Sequence, residues 1–325
     1  MQPEDWRSKG SRYREVDLSG LRTCSIAERG SKVQVENFAS ARPLREGLSG
    51  FLAGLPRILA GDDFRAVVEA IVRARKQDKP VIMAFGAHVI KCGLSPVVIE
   101  LLEQGVLTAL ATHGAGALHD CEIALFGETS EDVEAGLETG LFGLARETAA
   151  FLNETVSWGA QGGLGLGECL GRRLEEVNAP YAEVSVLAAA YRLGRPLTVH
   201  VALGTDIVHM HPNCSGAAYG ETSLRDFRIL TQALTDLGAG GVLLNVGSAV
   251  ILPEVLLKAL TLAKNLGHDL SGFLSVNLDF LRHYRPHQQV VHRVQHLSSQ
   301  GIALTGHHEI LLPLIAWTVL EQMNR

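Results

Sequence analysis

The residues that could most readily take part in catalysis are a lysine and two histidines. Lys91 stands among apolar residues just before a predicted helix start. If buried it would have a lowered pKa and could act as a nucleophile; if charged it could bind a phosphate or carboxylate. A plain surface lysine is the competing interpretation. Histidine side chains in general can act as an acid or a base near neutral pH, so His292 and His307 are candidates for acid and base catalysis. We therefore predict Lys91, His292 and His307 as catalytic residues.

A second set of histidines has the spacing of a partial metal site. His209 and His211 are two residues apart, so their rings face the same way on an extended segment, and Asp206 or Cys214 could complete a zinc site with them. No third and fourth ligand is fixed by spacing, and we predict no metal. A metal-dependent hydrolase that uses His209, His211 and His307 stays an alternative function.

Common catalytic signatures are missing or out of context. The chain has no Gly-x-Ser-x-Gly motif, so nothing local indicates a serine nucleophile. Residues 158–171 contain the run GAQGGLGLGECLG, which is similar to a dinucleotide fingerprint. A true fingerprint follows a buried strand and opens a helix. This run follows a predicted helix, so we expect a flexible loop.

The elements that position Lys91 form one strand–helix–strand unit. Val81–Phe85 and Leu107–Thr112 are short apolar runs, typical of strands that are buried on both faces of a parallel sheet. A helix is predicted between them, with Ser95 as its cap and Gly105 as its stop. In such units ligands bind beyond the carboxyl ends of the strands. The loops that follow the two strands are therefore the predicted ligand platform.

The same alternation continues to the end of the chain. Further strands are expected at Leu197–Leu203, Val242–Val246, Phe273–Asn277 and Ile302–Thr305. Further helices are expected at residues 62–75, 129–152, 183–193, 253–266 and 309–323, the last of them nearly all apolar and buried. Repeated units of this kind predict a Rossmann-like α/β fold, a doubly wound, mostly parallel sheet with helices on both faces.

The N-terminal segment differs from the rest. Residues 1–55 are polar and irregular, with Val33–Phe38 as a possible edge strand. We expect an N-terminal arm over residues 1–55 and a single α/β domain that binds nucleotide and catalyses over residues 56–325.

Composition excludes several classes of function. The chain has 325 residues, 46% of them hydrophobic, and a formal net charge of −6, with no basic run that would attract nucleic acid. Its five cysteines are scattered and form no CxxC pair, which favours a reducing compartment. No signal peptide or membrane-spanning stretch is indicated. We expect a cytoplasmic protein without nucleic-acid or membrane partners.

Several segments together resemble one enzyme family. Phe85–Leu94 and Thr112–Asp120 are similar to two glycine-containing loops of deoxyhypusine synthase. Four further segments resemble that family in the same order along the chain: Leu174–Asn178, Ala202–Asp206, Gly247–Ala249 and Leu311–Ala316. The resemblance covers the chain from about Pro80 onward.

The resemblance implies a fold, a cofactor and an assembly. Deoxyhypusine synthase is an NAD-dependent enzyme that moves an aminobutyl group from spermidine to a lysine. It has a Rossmann-like fold and forms homotetramers with cofactor at the subunit interfaces. Carried over to this chain, the cofactor-binding residues would be Gly86, His88, Thr112, His113, Gly114, Asp206, Gly247, Ser248 and Asn277.

The departures from the family fall on its chemistry. Arg285–Val294 occupies the place of the family's reactive lysine, and no lysine follows Lys264. Pro253 falls where the family has a catalytic histidine, and Leu118 and His119 replace a pair of glutamates. We therefore expect an NAD-dependent transferase or oxidoreductase that acts on a small anionic or neutral substrate and does not make deoxyhypusine. A non-catalytic nucleotide-binding protein is a further alternative.

Overall fold

A six-stranded parallel sheet forms the centre of the molecule. The computed structural model describes residues 47–297 and 299–324, together with residues 16, 18–25, 28 and 34–40. The strands are β1 (Val81–Phe85), β2 (Ala109–His113), β3 (Leu197–His200), β4 (Val242–Val246), β5 (Leu274–Asp279) and β6 (Gln300–Thr305). They are arranged in the order β3-β2-β1-β4-β5-β6, and every neighbouring pair is parallel. The predicted doubly wound α/β fold is confirmed.

Helices connect the strands and cover the sheet. The α-helices of the described residues are α1 (Gly47–Gly54), α2 (Leu59–Lys76), α3 (Ala87–Lys91), α4 (Ser95–Glu103), α5 (Gly114–Phe126), α6 (Val133–Thr139), α7 (Arg146–Gln161), α8 (Leu166–Glu176), α9 (Val186–Arg192), α10 (Gly216–Leu234), α11 (Ile251–Asn265), α12 (Tyr284–Pro286) and α13 (His308–Met323). Short 3₁₀ turns occur at Val35–Asn37, Ala182–Val184, Ile207–Met210 and Arg293–Leu297, and a π-helix at His287–His292.

The strands are apolar on both sides because helices lie on both faces of the sheet. In β1, Val81, Met83 and Phe85 point into one core, and Ile82 and Ala84 point into the other. All five are at most 1% exposed. A run that is buried on both faces shows no polar alternation, which is why these strands are readable as continuous apolar runs.

Some predicted boundaries are wrong, and glycine is the main reason. The helix expected at 129–152 is two helices, α6 and α7, separated by Gly140 and Gly143 in left-handed conformations with φ of 72° and 75°. Gly140 ends α6, and Gly143 lies in the connection to α7. The loop expected at 158–171 is mostly helical, because α7 continues to Gln161 and α8 starts at Leu166.

Three smaller expectations also fail. Leu94, not Ser95, is the cap of α4, although Gly105 has the expected left-handed backbone. The described residues of the predicted edge strand form a 3₁₀ turn, and Val33 lies outside the described residues. The final helix α13 is not fully buried, since Ile310 and Trp317 are 59% and 52% exposed.

The end of the predicted arm packs on the domain. The amide of Leu48 in α1 donates to Glu321 Oε2 at 2.8 Å, and Leu52 is buried in the main core. The division of the chain at residue 55 stays a prediction. Among the described residues, no helix is long and apolar enough to cross a membrane.

A buried carboxylate fixes the edge strand β3 to the helices beside it. Asp226 of α10 is 1% exposed, and its Oδ2 accepts the amides of Val199 at 2.6 Å and Gly167 at 2.9 Å. Val199 belongs to the sheet edge and Gly167 to the first turn of α8, so one carboxylate satisfies two open amides. Burial raises the pKa of Asp226 to about 7, against the opposing effect of these two amides.

We expect Asp226 to make stability depend on pH. Its folded-state pKa lies above the unfolded value of 3.8, so its contribution is full below about pH 4 and is lost as pH rises through 7. The Asp226→Asn variant keeps an oxygen for both amides and removes the charge. In urea unfolding, the stability of the wild type relative to this variant should fall by about 2–3 kcal/mol from pH 5 to pH 8.

The matched control for that experiment is Asp236→Asn, because Asp236 is exposed just after the same helix. It should follow the wild-type pH dependence. A difference between wild type and Asp226→Asn that does not change with pH would contradict the role given to the buried charge.

Candidate functional site

The order of the strands defines where a ligand can bind. The chain builds β1, β2 and β3 in one direction and then returns to place β4 on the other side of β1. The connections after β1 and β4 therefore leave the sheet on opposite faces, which opens a crevice at their carboxyl ends. Ligands of open α/β sheets bind at this kind of switch point.

Two glycines allow the chain to close tightly at the switch point. The amide of Gly86 donates to Val246 O at 2.8 Å, and a Cβ at Gly86 would lie 2.1 Å from Gly247 O. Gly247 has a φ of 66°, and a Cβ there would lie 3.0 Å from the ring of His308. The space at both glycines is thus occupied by the protein itself, so their need for glycine is explained by packing.

Three aromatic rings and one carboxylate lie next to these glycines. They belong to His88, Phe280, His308 and Asp279, and we call them the switch-point cluster. The ring centre of His308 lies 5.7 Å from that of His88 and 6.0 Å from that of Phe280. His308 is 1% exposed, but His88 and Phe280 are exposed at the surface of the crevice. The cluster joins the ends of β1, β5 and β6.

His308 is buried with its hydrogen-bonding capacity unused. Neither ring nitrogen has a hydrogen-bond partner among the described residues, and Nε2 lies 3.8 Å from Asp279 Oδ1. Burial lowers the pKa of His308, although Asp279 acts in the opposite direction. A buried polar group without a partner is costly. The ring is therefore a neutral imidazole, and its two nitrogens lie beneath the surface of the crevice.

A second site, which we call the lysine pocket, lies at the carboxyl ends of β2 and β3. It is a cavity of about 230 Å³. Its charged and titratable lining residues are Lys91, His119, Glu122, Glu131 and Asp206. Lys91 is the last residue of α3, is exposed, and makes no hydrogen bond or ion pair with any residue that the structure describes. Three carboxylates and one ammonium make the pocket net negative.

Asp206 connects the lysine pocket to the start of α5. It caps the 3₁₀ turn Ile207–Met210, and its carboxylate packs so closely on Gly114 that a Cβ there would lie 1.8 Å from Oδ2. Burial raises the pKa of Asp206 to about 6. No side chain caps α5, whose cap residue is His113, so amides at its first turn are available to an acceptor.

The other predicted cofactor residues have structural partners. Thr112 Oγ1 donates to Phe85 O at 2.9 Å, which ties β2 to the end of β1. Ser248 Oγ accepts the Leu252 amide at 3.3 Å, and Asn277 Oδ1 accepts from Asn245 at 2.7 Å. Burial lowers the pKa of His113. These side chains shape the carboxyl edge of the sheet.

The structure separates the three predicted catalytic residues. Lys91 lines the lysine pocket, but His292 lies on the π-helix with its Nε2 at 2.9 Å from His287 Nε2. His307 is 71% exposed at its side chain, and its Nδ1 lies 3.6 Å from Glu309 Oε1. Neither histidine makes a described contact with the lysine pocket. A common catalytic role for the three residues stays a prediction without geometric support.

Residues of the alternative hydrolase do not meet. Within the described part of the chain, no three ligating side chains converge on a metal position. His209 Nδ1 accepts the amides of Gly204 at 3.1 Å and Asp206 at 3.2 Å, and His211 Nε2 lies 3.1 Å from Gly143 O. His307 belongs to a different element. The geometry gives the hydrolase no site.

Sequence reasoning missed the buried members of both sites. Adjacent residues on a helix point about 100° apart. The structure turns His308 inward and leaves His307, the predicted catalytic residue, exposed. No signal identified Asp279, which looks like an ordinary strand residue. His119 had been noticed only as a departure from the family pattern.

Comparison with known proteins supports the fold. No protein-family model matches the chain, and no curated protein matches it. Unliganded AgrE is 14% identical over 80% of this chain and 32% of AgrE, with a TM-score of 0.51. The complex of AgrE with ornithine and NAD+ is 15% identical over 81% of this chain and 34% of AgrE, with a TM-score of 0.50.

A provisionally assigned deoxyhypusine synthase from Entamoeba histolytica is 12% identical, with 83% of this chain and 90% of that chain covered and a TM-score of 0.49. This chain spans about a third of the length of AgrE. At these identities the similarity to AgrE shows the fold alone. The α/β fold predicted from the sequence is thereby confirmed.

Gly86 should be intolerant of any side chain. In Gly86→Ala the new Cβ meets the backbone oxygen of Gly247, which cannot move without displacing β4. We expect a loss of about 2 kcal/mol or more in the free energy of unfolding. Urea denaturation followed by circular dichroism measures this loss.

Gly220→Ala is the control, because Gly220 lies in α10 with no atom within 4 Å of its Cβ position. It should be neutral or stabilise by up to about 1 kcal/mol. Equal effects of the two substitutions would show that the switch point is not tightly closed.

Proposed function

We propose that the chain is an NAD-dependent enzyme that acts on a small zwitterionic amine. The observation that carries the proposal is the reversal of strand order between β1 and β4, with the lysine pocket beside it. A dinucleotide lies across such a reversal in folds of this order. AgrE, which has a similar fold, has been crystallised with ornithine and NAD+. For this chain, both ligands are part of the proposal.

The residues at the carboxyl edge fit a dinucleotide. The uncapped first turn of α5 suits a phosphate, because its amides point outward and the helix dipole favours an anion. Asp206 next to this turn can accept the hydroxyls of a ribose, as an acidic residue does in dinucleotide-binding folds. NAD, when bound, supplies the hydride acceptor or donor.

The charge of the lysine pocket selects the substrate class. Lys91 is the one ammonium among the lining residues, and it has no described partner of its own. A carboxylate can pair with it. The carboxylates of Glu122 and Glu131 favour a positive group elsewhere on the same ligand. A molecule that carries both a carboxylate and an ammonium meets both requirements.

The proposal extends to assembly and compartment. Apolar side chains around the carboxyl edge are exposed, namely Val250, Phe280, Leu281, Tyr284 and Ile310. Contiguous exposed apolar residues favour a protein interface, which supports the homotetramer that the family resemblance implies. The five free cysteines suit a reducing cytoplasm.

Isothermal titration with NAD+ tests the proposal. We expect the wild-type protein to bind, and Asp206→Asn to bind about tenfold more weakly, because a neutral amide is a poorer acceptor for ribose hydroxyls. Since the pKa of Asp206 is raised to about 6, wild-type affinity should increase from pH 5 to pH 7 as the carboxylate ionises. This increase should be absent in Asp206→Asn.

Asp236→Asn is again the control and should bind NAD+ as the wild type does. The proposal is wrong if the wild-type protein binds neither NAD+ nor NADH at millimolar concentration. If Asp206→Asn binds NAD+ with unchanged affinity, NAD remains the proposed cofactor but Asp206 does not contact it.

A further inference from the structure

A chain of three hydrogen-bonded side chains supports one wall of the lysine pocket. His119 Nδ1 lies 2.7 Å from Thr129 Oγ1. Thr129 Oγ1 donates in turn to Glu122 Oε2. The other oxygen of Glu122 accepts the hydroxyl of Thr148 at 2.9 Å. His119 and Glu122 are three residues apart on α5, and Thr129 lies in the loop that follows this helix.

The direction of these hydrogen bonds fixes the tautomer of His119. A threonine hydroxyl has one proton, and a carboxylate can only accept. Since the Thr129 proton is given to Glu122, Thr129 Oγ1 must accept from His119. His119 therefore carries its proton on Nδ1. A neutral imidazole with a proton on Nδ1 has an unprotonated Nε2.

That nitrogen is free to meet a ligand. Among the described residues His119 Nε2 has no hydrogen-bond partner. This nitrogen is not buried, so it is accessible from the pocket. The ring lines the cavity that also contains the ammonium of Lys91. An acceptor and a cation thus share one small pocket.

The surroundings keep His119 neutral. Burial, and then the charge of Lys91 on α3, lower the pKa of His119 to about 4. The other titratable groups that face the pocket are Glu122 on the same helix, Glu131 in the next loop and Asp206 beyond β3. His113 at the end of β2 also interacts with His119. At pH 7 the ring is therefore an acceptor.

We propose that His119 Nε2 is the hydrogen-bond acceptor of the lysine pocket for a substrate ammonium, with the ring held in its Nδ1–H form by Thr129 and Glu122. This inference rests on the proposed function for the identity of the substrate. A ligand whose carboxylate pairs with Lys91 presents its ammonium to Nε2. The ammonium donates a hydrogen bond to Nε2, and the ring stays neutral. Glu122, through Thr129, keeps the ring proton on Nδ1.

Ligand binding itself strengthens this hydrogen bond. Burial, and then the positive charge of Lys91, hold the pKa of His119 low. A carboxylate that pairs with Lys91 offsets this charge, so His119 becomes a stronger hydrogen-bond acceptor when the pocket is filled. The pocket thereby couples recognition of the carboxylate to recognition of the ammonium.

Nitrogen NMR of the full chain with ¹⁵N-labelled histidine tests the assignment without any cofactor. The His119 signals are identified from their loss in His119→Gln. At pH 7 we expect the Nδ1–H tautomer in the wild type. Thr129→Val, which is similar in shape but has no hydroxyl, should lose this preference, and Thr129→Ser should restore it. In Lys91→Gln the pKa of His119 should rise.

L-ornithine is the probe for hydrogen-bond acceptance. Its addition should move the Nε2 signal of His119 upfield, as this nitrogen accepts a hydrogen bond, and the effect should be weaker in Lys91→Gln. The inference is overturned by an Nε2–H tautomer in the wild type or by a tautomer that ignores Thr129→Val. It is also overturned if ornithine perturbs the methyl groups of Leu118, which line the pocket, without moving Nε2.

These spectra separate the inference from the function on which it rests. They are recorded without NAD, so failure of the protein to bind NAD+ leaves the tautomer of His119 unaffected. Conversely, an Nε2–H tautomer removes His119 as the acceptor and leaves the titration with NAD+ as an independent result.

Discussion

The structure depends on the contact between the ends of β1 and β4. There the backbone of Gly86 lies so close to Gly247 that a single methyl group at Gly86 would be 2.1 Å from a carbonyl oxygen. This contact holds the two halves of the sheet together at the point where the strand order reverses. Because the strands are parallel, their carboxyl ends all lie at the same edge of the sheet. The candidate binding residues lie at this edge, on both sides of the contact.

The burial of ionisable side chains at this edge is unfavourable for stability. It lowers the pKa of His308 and raises the pKa of Asp206, because removal from water destabilises the charged form of each side chain. Neither ring nitrogen of His308 has a partner among the described residues. Groups perturbed in this way concentrate at functional sites. The core on either side of the sheet can tolerate them because it is continuous and apolar.

The sequence predicts the fold better than the site. Strands such as Val81–Phe85 are recognisable because burial on both faces removes every polar residue from them. The break between α6 and α7 is harder to predict, because the sequence does not distinguish a glycine inside a helix from one that ends it. The left-handed backbone of Gly140 shows that it ends α6.

The lysine pocket shows why sites are missed. Lys91, His119 and Asp206 line one pocket but are far apart along the chain. The first and second are separated by α4 and β2, and the second and third by four α-helices and β3. Only the sheet brings them together, so no local spacing identifies the set. The His119–Thr129–Glu122 chain lies within a short segment, but the sequence does not show that the loop after α5 returns Thr129 to the helix.

The central claim is that the carboxyl edge of the sheet binds NAD beside a substrate pocket. A crystal structure of the chain grown with NAD+ is the most direct measurement. The account predicts dinucleotide density across the ends of β1 and β4, with a ribose at Asp206 and a phosphate at the first turn of α5. Density for NAD+ at any other part of the molecule would contradict it.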